Sequence, residues 1–99
     1  MQEIKIDHRL TSGSIRPDRA LLSTELDGGV VLMSIDRGRY YALDAVATAV
    51  WRRLDAEPTA ETLIATVVSD FQGDPARIRE DVLALLSRWL SEGLVRVHV

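Results

Sequence analysis

The chain has 99 residues, 46% of them hydrophobic, and a formal net charge of −3. That size suits one domain with one small core and excludes a core plus a deep, enclosed substrate cavity. The absence of cysteine excludes disulfides, thiolate metal sites and thiol nucleophiles. The acidic balance argues against a nucleic-acid partner, which draws on clustered Lys and Arg.

No apolar run approaches the length of a membrane span, and Gly29-Val30-Val31-Leu32-Met33 is among the longest. The N-terminal segment from Met1 to Asp7 is charged and lacks the apolar core of an export signal, so the expected location is the cytoplasm, away from membranes. Residues 1–19 are polar. Ile4 and Ile6 alternate with charged residues, and Thr11-Ser12-Gly13-Ser14 and Arg16-Pro17-Asp18 read as turns. This stretch is expected to be a flexible arm ahead of a domain over residues 20–99.

From Ala20 the pattern alternates. Leu22, Thr24 and Leu26 form one strand, Asp27-Gly28-Gly29 a tight turn, and Val30 to Asp36 a second, β-branched strand. Asp36-Arg37-Gly38 turns the chain again into a third strand, Arg39 to Leu43. The period then changes to that of a helix. Asp44 is placed as an N-cap, with Val46, Val50, Trp51 and Leu54 in one stripe ending near Asp55. Thr59 caps a second helix carrying Leu63, Ile64, Val67, Val68 and Phe71, which Gly73 stops. Asp74-Pro75 opens a third over 75–92, with Ile78, Val82, Leu85, Leu86, Trp89 and Leu90 on its stripe and Gly93 at its end. Leu94 to Val99 alternates and can add a short strand. The predicted fold is α+β: a three-stranded antiparallel meander followed by three α-helices in a winged-helix-like cluster.

Catalytic chemistry is missing from this pattern. His8 and His98 stand near opposite ends of the chain, neither with a second ligand at metal spacing. Gly28-Gly29 leads into a strand rather than a helix N-terminus, so it is no phosphate loop. No Gly-x-Ser-x-Gly elbow is present. Asp70, Asp74, Glu80 and Asp81 read as caps and solvated helix faces. The expectation is a protein that is not an enzyme and holds no metal or cofactor.

Binding chemistry concentrates in the third strand. Arg39-Tyr40-Tyr41 packs two aromatics and a cation into five residues of a chain that is only 5% aromatic. Alternation separates the tyrosines, Tyr41 sharing a face with Leu43 and Tyr40 with Ala42. Either both are half-buried strand formers, or one serves the core and the other a partner at an open sheet edge. On the third helix, Arg77, Asp81 and Arg88 flank the apolar stripe, as the rim of a groove or as ordinary surface.

The run Gly38-Arg39-Tyr40-Tyr41-Ala42-Leu43-Asp44, followed by Ala47-Thr48-Ala49-Val50-Trp51 and Leu54, resembles the PqqD-like family, which shows Gly-x-Tyr-x-x-Leu-Asn ahead of a helix with Thr-Ala and Ile/Val-Trp. Thr59 with Glu61-Thr62-Leu63, Asp81-Val82 with Leu85-Leu86, and Glu92-Gly93-Leu94-Val95 extend the likeness over roughly 20–95. Asp44 stands where the family usually has Asn, and either caps a helix. The resemblance implies a recognition element for ribosomally made, modified peptides. It also implies that the leader of a precursor peptide adds as a strand beside 39–43, in the groove against helix 75–92. On that reading the site comprises Arg39, Tyr40, Tyr41, Ala42, Leu43, Ile78, Asp81, Val82 and Leu85. The short Gly-Arg-Tyr-Tyr form is most similar to the standalone elements of lasso-peptide pathways, which present the leader to a leader peptidase and an ATP-dependent cyclase. The chain's length fits such a standalone protein. The rival expectation is a winged-helix DNA-binding regulator using the third helix, whose exposed side mixes Arg77, Arg79 and Arg88 with Glu80, Asp81 and Glu92.

Overall fold

The computed structural model describes residue 10 and residues 13–56 and 58–98. The elements run β1 (Ser14–Pro17), β2 (Leu21–Leu26), β3 (Gly29–Ser34), β4 (Arg39–Ala42), α1 (Ala45–Arg52), a 3₁₀ turn (Leu54–Ala56), α2 (Ala60–Asp70), α3 (Pro75–Ser91) and β5 (Val95–His98).

The antiparallel meander is β2-β3-β4. Its first connection is a two-residue turn with Asp27 at φ 53° and Gly28 at φ 81°. The positive values at both positions match the right-handed twist of the flanking strands. β3 is the central strand and alternates cleanly, with Val30, Leu32 and Ser34 buried toward the helices. It ends two residues before the expected Asp36. β4 ends at Ala42, yet the Leu43 N–H still donates to the Val30 carbonyl at 2.9 Å.

Each helix begins as its sequence predicts. Asp44, Thr59 and Asp74 have extended backbones, and their side chains accept from the amides of Ala47, Thr62 and Ala76. These caps satisfy donors that a helix leaves free in its first turn. Pro75 occupies the first turn of α3, where the missing N–H is not needed. α3 closes at Gly93, whose φ of 76° lets the Leu94 N–H reach back to the Trp89 carbonyl at 2.8 Å.

The segment expected as an arm contributes structure where it is described. β1 pairs antiparallel with β5, from Ser14 opposite His98 to Pro17 opposite Val95. Leu10 and Ile15 are fully buried. Residues 13–19 are therefore no loose arm. Their polar composition conceals a partner at the opposite end of the chain, because pairing supplies the backbone hydrogen bonds and, within the strand, Ile15 alone is fully buried. The alternation at Ile4 and Ile6 lies outside the described residues.

One core joins all three helices to both sheets, with Leu32, Val50, Leu63, Val67, Val82, Leu86 and Leu94 at its centre. Trp51 of α1 meets Trp89 of α3 edge to face, ring centroids 5.3 Å apart and planes at 85°. Two Arg–carboxylate forks brace the outside. Arg52 holds Glu25 at 2.9 and 2.7 Å, tying α1 to β2, and Arg79 holds Glu61 at 2.8 and 2.7 Å, tying α3 to α2.

Candidate peptide-binding groove

β4 lies at the edge of its sheet. Hydrogen-bonded and non-bonded pairs alternate along an antiparallel ladder. The Leu43 N–H points into the sheet, so Tyr41 and Arg39 do likewise, and the main-chain groups of Tyr40 and Ala42 point off the open edge. Among the described residues no strand pairs with this edge, and an unpaired edge is a template for another strand.

The wall facing this edge is α3. A depression of about 370 Å³ lies between them, lined by Tyr41, Ala42, Leu43, Asp44 and Ala47 on one side and Leu85, Arg88, Trp89 and Glu92 on the other. A second depression, of about 270 Å³, lies toward the start of α3, against the end of α2 and Val46 of α1, and is lined by Val67, Phe71, Gly73, Arg77, Ile78, Asp81 and Val82, among others. Together they follow α3 from Ile78 to Glu92. At about 1.5 Å per helical residue that is about 21 Å, room for roughly six residues of extended chain at about 3.3 Å each.

One hydroxyl fixes how β4 leaves the sheet. The Val30 N–H donates to Thr48 Oγ1 at 3.3 Å, and Thr48 Oγ1 donates to the Leu43 carbonyl at 3.3 Å. A regular pair at Val30 and Leu43 would exchange both bonds directly. Here the buried Thr48 relays the second, so the chain turns from β4 into α1 without stranding either group. The Asp44 cap, accepting from Ala47 at 2.8 Å, completes that corner.

The sequence-derived site residues divide three ways. Tyr41, Ala42, Leu43 and Leu85 come together in the larger depression, and Ile78, Asp81 and Val82 in the smaller. Val82 is fully buried and forms the floor. Arg39 and Tyr40 line neither depression. Arg39 is exposed, and Tyr40 pairs with Met33 on the sheet face opposite the core, 74% exposed. Arg77 and Arg88, rim candidates from the sequence, do line the groove. The sequence places Val46 and Phe71 only in core stripes, yet both line the smaller depression. Helical spacing does not distinguish a side chain inside the core from one at its open margin. Charges of both signs line the two depressions, with Asp44, Arg88 and Glu92 in the larger and Asp74, Arg77 and Asp81 in the smaller, so carboxylates outnumber guanidiniums in each.

The Tyr41 hydroxyl is buried without a hydrogen-bond partner among the described residues. Tyr41 is half-buried and packs against the core. No cluster of His, Asp or Glu among the described residues has the arrangement of a metal site. No helix among them is long and apolar enough to cross a membrane.

Residues 29–95 match the family described as Coenzyme PQQ synthesis protein D (PqqD). The chain belongs to the PqqD family. Solved structures carry the same fold. The chain is similar to TbiB1 in complex with the TbiA(beta) leader peptide, with a TM-score of 0.77, 23% identity, and 85% of this chain and 98% of that chain covered. It is similar to lasso peptide synthetase B1 complexed with the leader peptide, with a TM-score of 0.75, 19% identity, and 84% and 98% covered. It is also similar to the PqqD truncation of Methylobacterium extorquens PqqCD, a stand-alone recognition element for ribosomally synthesized and post-translationally modified peptides, with a TM-score of 0.70, 21% identity, and 97% and 99% covered. A comparison with curated proteins finds no match. The PqqD fold of this chain is thus a three-stranded sheet and three helices, as its periodicities predict.

Proposed function

We propose that this PqqD-family chain is a non-catalytic recognition element that binds the leader segment of a ribosomally made precursor peptide. The leader adds as a strand to the open edge of β4 and lies against α3. The observation that carries this reading is the pairing of a free edge, at Tyr40 and Ala42, with a groove walled by Leu85, Arg88 and Trp89. Main-chain hydrogen bonds supply register and the two depressions supply side-chain selection. Two structural relatives were solved with leader peptides, which supports the same use of the fold here.

In the finer form of the proposal the pathway is of the lasso-peptide kind. The chain works in the cytoplasm and presents its leader to a leader peptidase and an ATP-dependent cyclase. Such a carrier needs affinity without permanence, and a micromolar dissociation constant corresponds to about −8 kcal/mol. Ordering a flexible leader costs part of the gross binding energy, so a few apolar anchors must provide the surplus. The peptide-binding site residues proposed are Tyr41, Ala42, Leu43, Ile78, Asp81 and Leu85 in the groove, Val82 beneath them, and Arg39 and Tyr40 at the edge.

The DNA-binding reading finds no support in α3. Arg79 is already forked to Glu61, and Glu80 and Asp81 stand among the remaining cations. Anisotropy of a labelled leader, taken from a small reading frame beside this gene, tests the proposal. Saturable micromolar binding that Leu85→Asp abolishes is expected. No binding of the leader, with a duplex from the same locus bound instead, would overturn it.

A further inference from the structure

The outer face of the three-stranded sheet is apolar where a sheet bordering water is ordinarily polar. Leu22 pairs with Met33, and Met33 with Tyr40, so three side chains form one row across the face turned away from the helices. The two ends of the row are open, Leu22 at 52% exposure and Tyr40 at 74%. Leu26 and Ile35 are exposed as well. On β2 the inner face carries Leu21, Ser23 and Glu25, of which Leu21 packs against the core, and the outer face carries Leu22, Thr24 and Leu26.

The row ends at the edge used for strand addition. Tyr40 is one of the two β4 residues whose main-chain groups point off the sheet. A residue lying opposite Tyr40 shares its face, with Cα atoms about 5.5 Å apart in a hydrogen-bonded antiparallel pair. The neighbours of that residue point the other way, into the groove against Leu85. An added strand therefore meets this protein on two faces at once.

We propose that the leader is read on both faces of the sheet, with an aliphatic or aromatic side chain packing on Tyr40 as the fourth member of the Leu22–Met33–Tyr40 row. This rests on the leader-binding reading and adds to it a second selection surface, outside the groove. Groove side chains alone would demand apolar residues at one phase of the leader. The outer row demands one at the opposite phase, directly beside them. The continuity of the row with the open edge assigns it to the peptide.

A yeast-displayed library of randomised twelve-residue peptides, selected against the immobilised chain, tests this whatever the sequence of the natural leader. Enriched peptides are expected to carry apolar residues at adjacent positions, one in each phase. Tyr40→Thr, at an exposed strand position, is expected to leave the thermal midpoint nearly unchanged and weaken an enriched peptide by about threefold to tenfold. The same weakening is expected when the peptide's outer residue becomes Ser, with no further loss when both changes are combined. Additive losses, or an unchanged affinity in Tyr40→Thr for peptides that Leu85→Asp releases, would overturn the two-faced reading and leave the groove in place. Failure of any peptide to enrich would overturn leader binding itself. A dimer in sedimentation that Tyr40→Thr dissociates, with no peptide enriched, would assign the row to a second copy instead.

Discussion

Leu43 and Val30 are joined by one direct hydrogen bond and one relayed through a third residue. The Leu43 N–H donates to the Val30 carbonyl at 2.9 Å, while the return bond passes through the Thr48 hydroxyl. The relay opens the ladder by the width of one oxygen at the point where β4 must give way to α1. It keeps both main-chain groups of the Val30–Leu43 pair satisfied at the corner where Leu43 and Asp44 line the groove.

Removal of that oxygen at constant shape should be costly. Thr48→Val leaves the buried Val30 N–H without its acceptor, and such a loss costs about 1–3 kcal/mol. Thr48→Ser keeps the relay and should lose less. Urea unfolding of the three proteins checks the order, and amide exchange at Val30 should rise only in the Val variant.

Val82 and Leu85 stand one helical turn apart and should respond in opposite ways. Val82 is fully buried, so Val82→Ala should cost about 2 kcal/mol of stability. Leu85 is half-buried at the groove wall, so Leu85→Ala should change unfolding little and weaken leader binding by about tenfold. Paired denaturation and anisotropy curves separate the two roles.

Asp44 caps α1 and also lines the groove. Asp44→Ala should cost about 1 kcal/mol, which for a domain of this size is a fall of about 4–8 °C in Tm. Asp44→Asn keeps an acceptor and should melt within a few tenths of a kcal/mol of the parent. A calorimetric scan of both variants decides the matter.

The Arg52–Glu25 fork carries a pH signature. Hydrogen bonding from Arg52 holds the Glu25 carboxyl below its ordinary value of 4.5, and the same bond raises Arg52. A carboxyl lowered in the folded state binds its proton more readily when unfolded, so the stability it adds is present above 4.5 and lost as pH falls through the folded value. The stability gap between the parent and Arg52→Gln should therefore be open at pH 7 and close in acid. Both groups are exposed, so the gap will be small and should shrink further in salt. Urea midpoints at pH 7 and pH 3 measure it.

Much of the fold is legible in the sequence because its signals are local. Asp27-Gly28, Asp44, Thr59, Asp74-Pro75 and Gly93 each act within one turn of chain, and the helices carry their stripes in plain order. The β1–β5 sheet is not legible. Ser14 and His98 have nothing local that names the other, and a four-residue strand with only Ile15 fully buried carries almost no period. At the groove, the edge strand and its helical wall follow from the meander's order and the resemblance to PqqD-like chains. The placement of Tyr40 on the far face depends on register, because a shift of one residue would exchange it with Tyr41. The outward leucines of β2 are unreadable for the same reason: alternation shows that two faces differ, and only packing shows which one meets the core.

The central claim is strand addition at β4, and amide hydrogen exchange tests it most directly. The N–H groups of Tyr40 and Ala42 point off the sheet and should exchange quickly in the free protein. With saturating leader bound they should slow by at least about tenfold, while amides pointing off the free edge of β2 stay as they were. A leader that binds and leaves Tyr40 and Ala42 exchanging at their free rates would contradict strand addition and require a different docking surface.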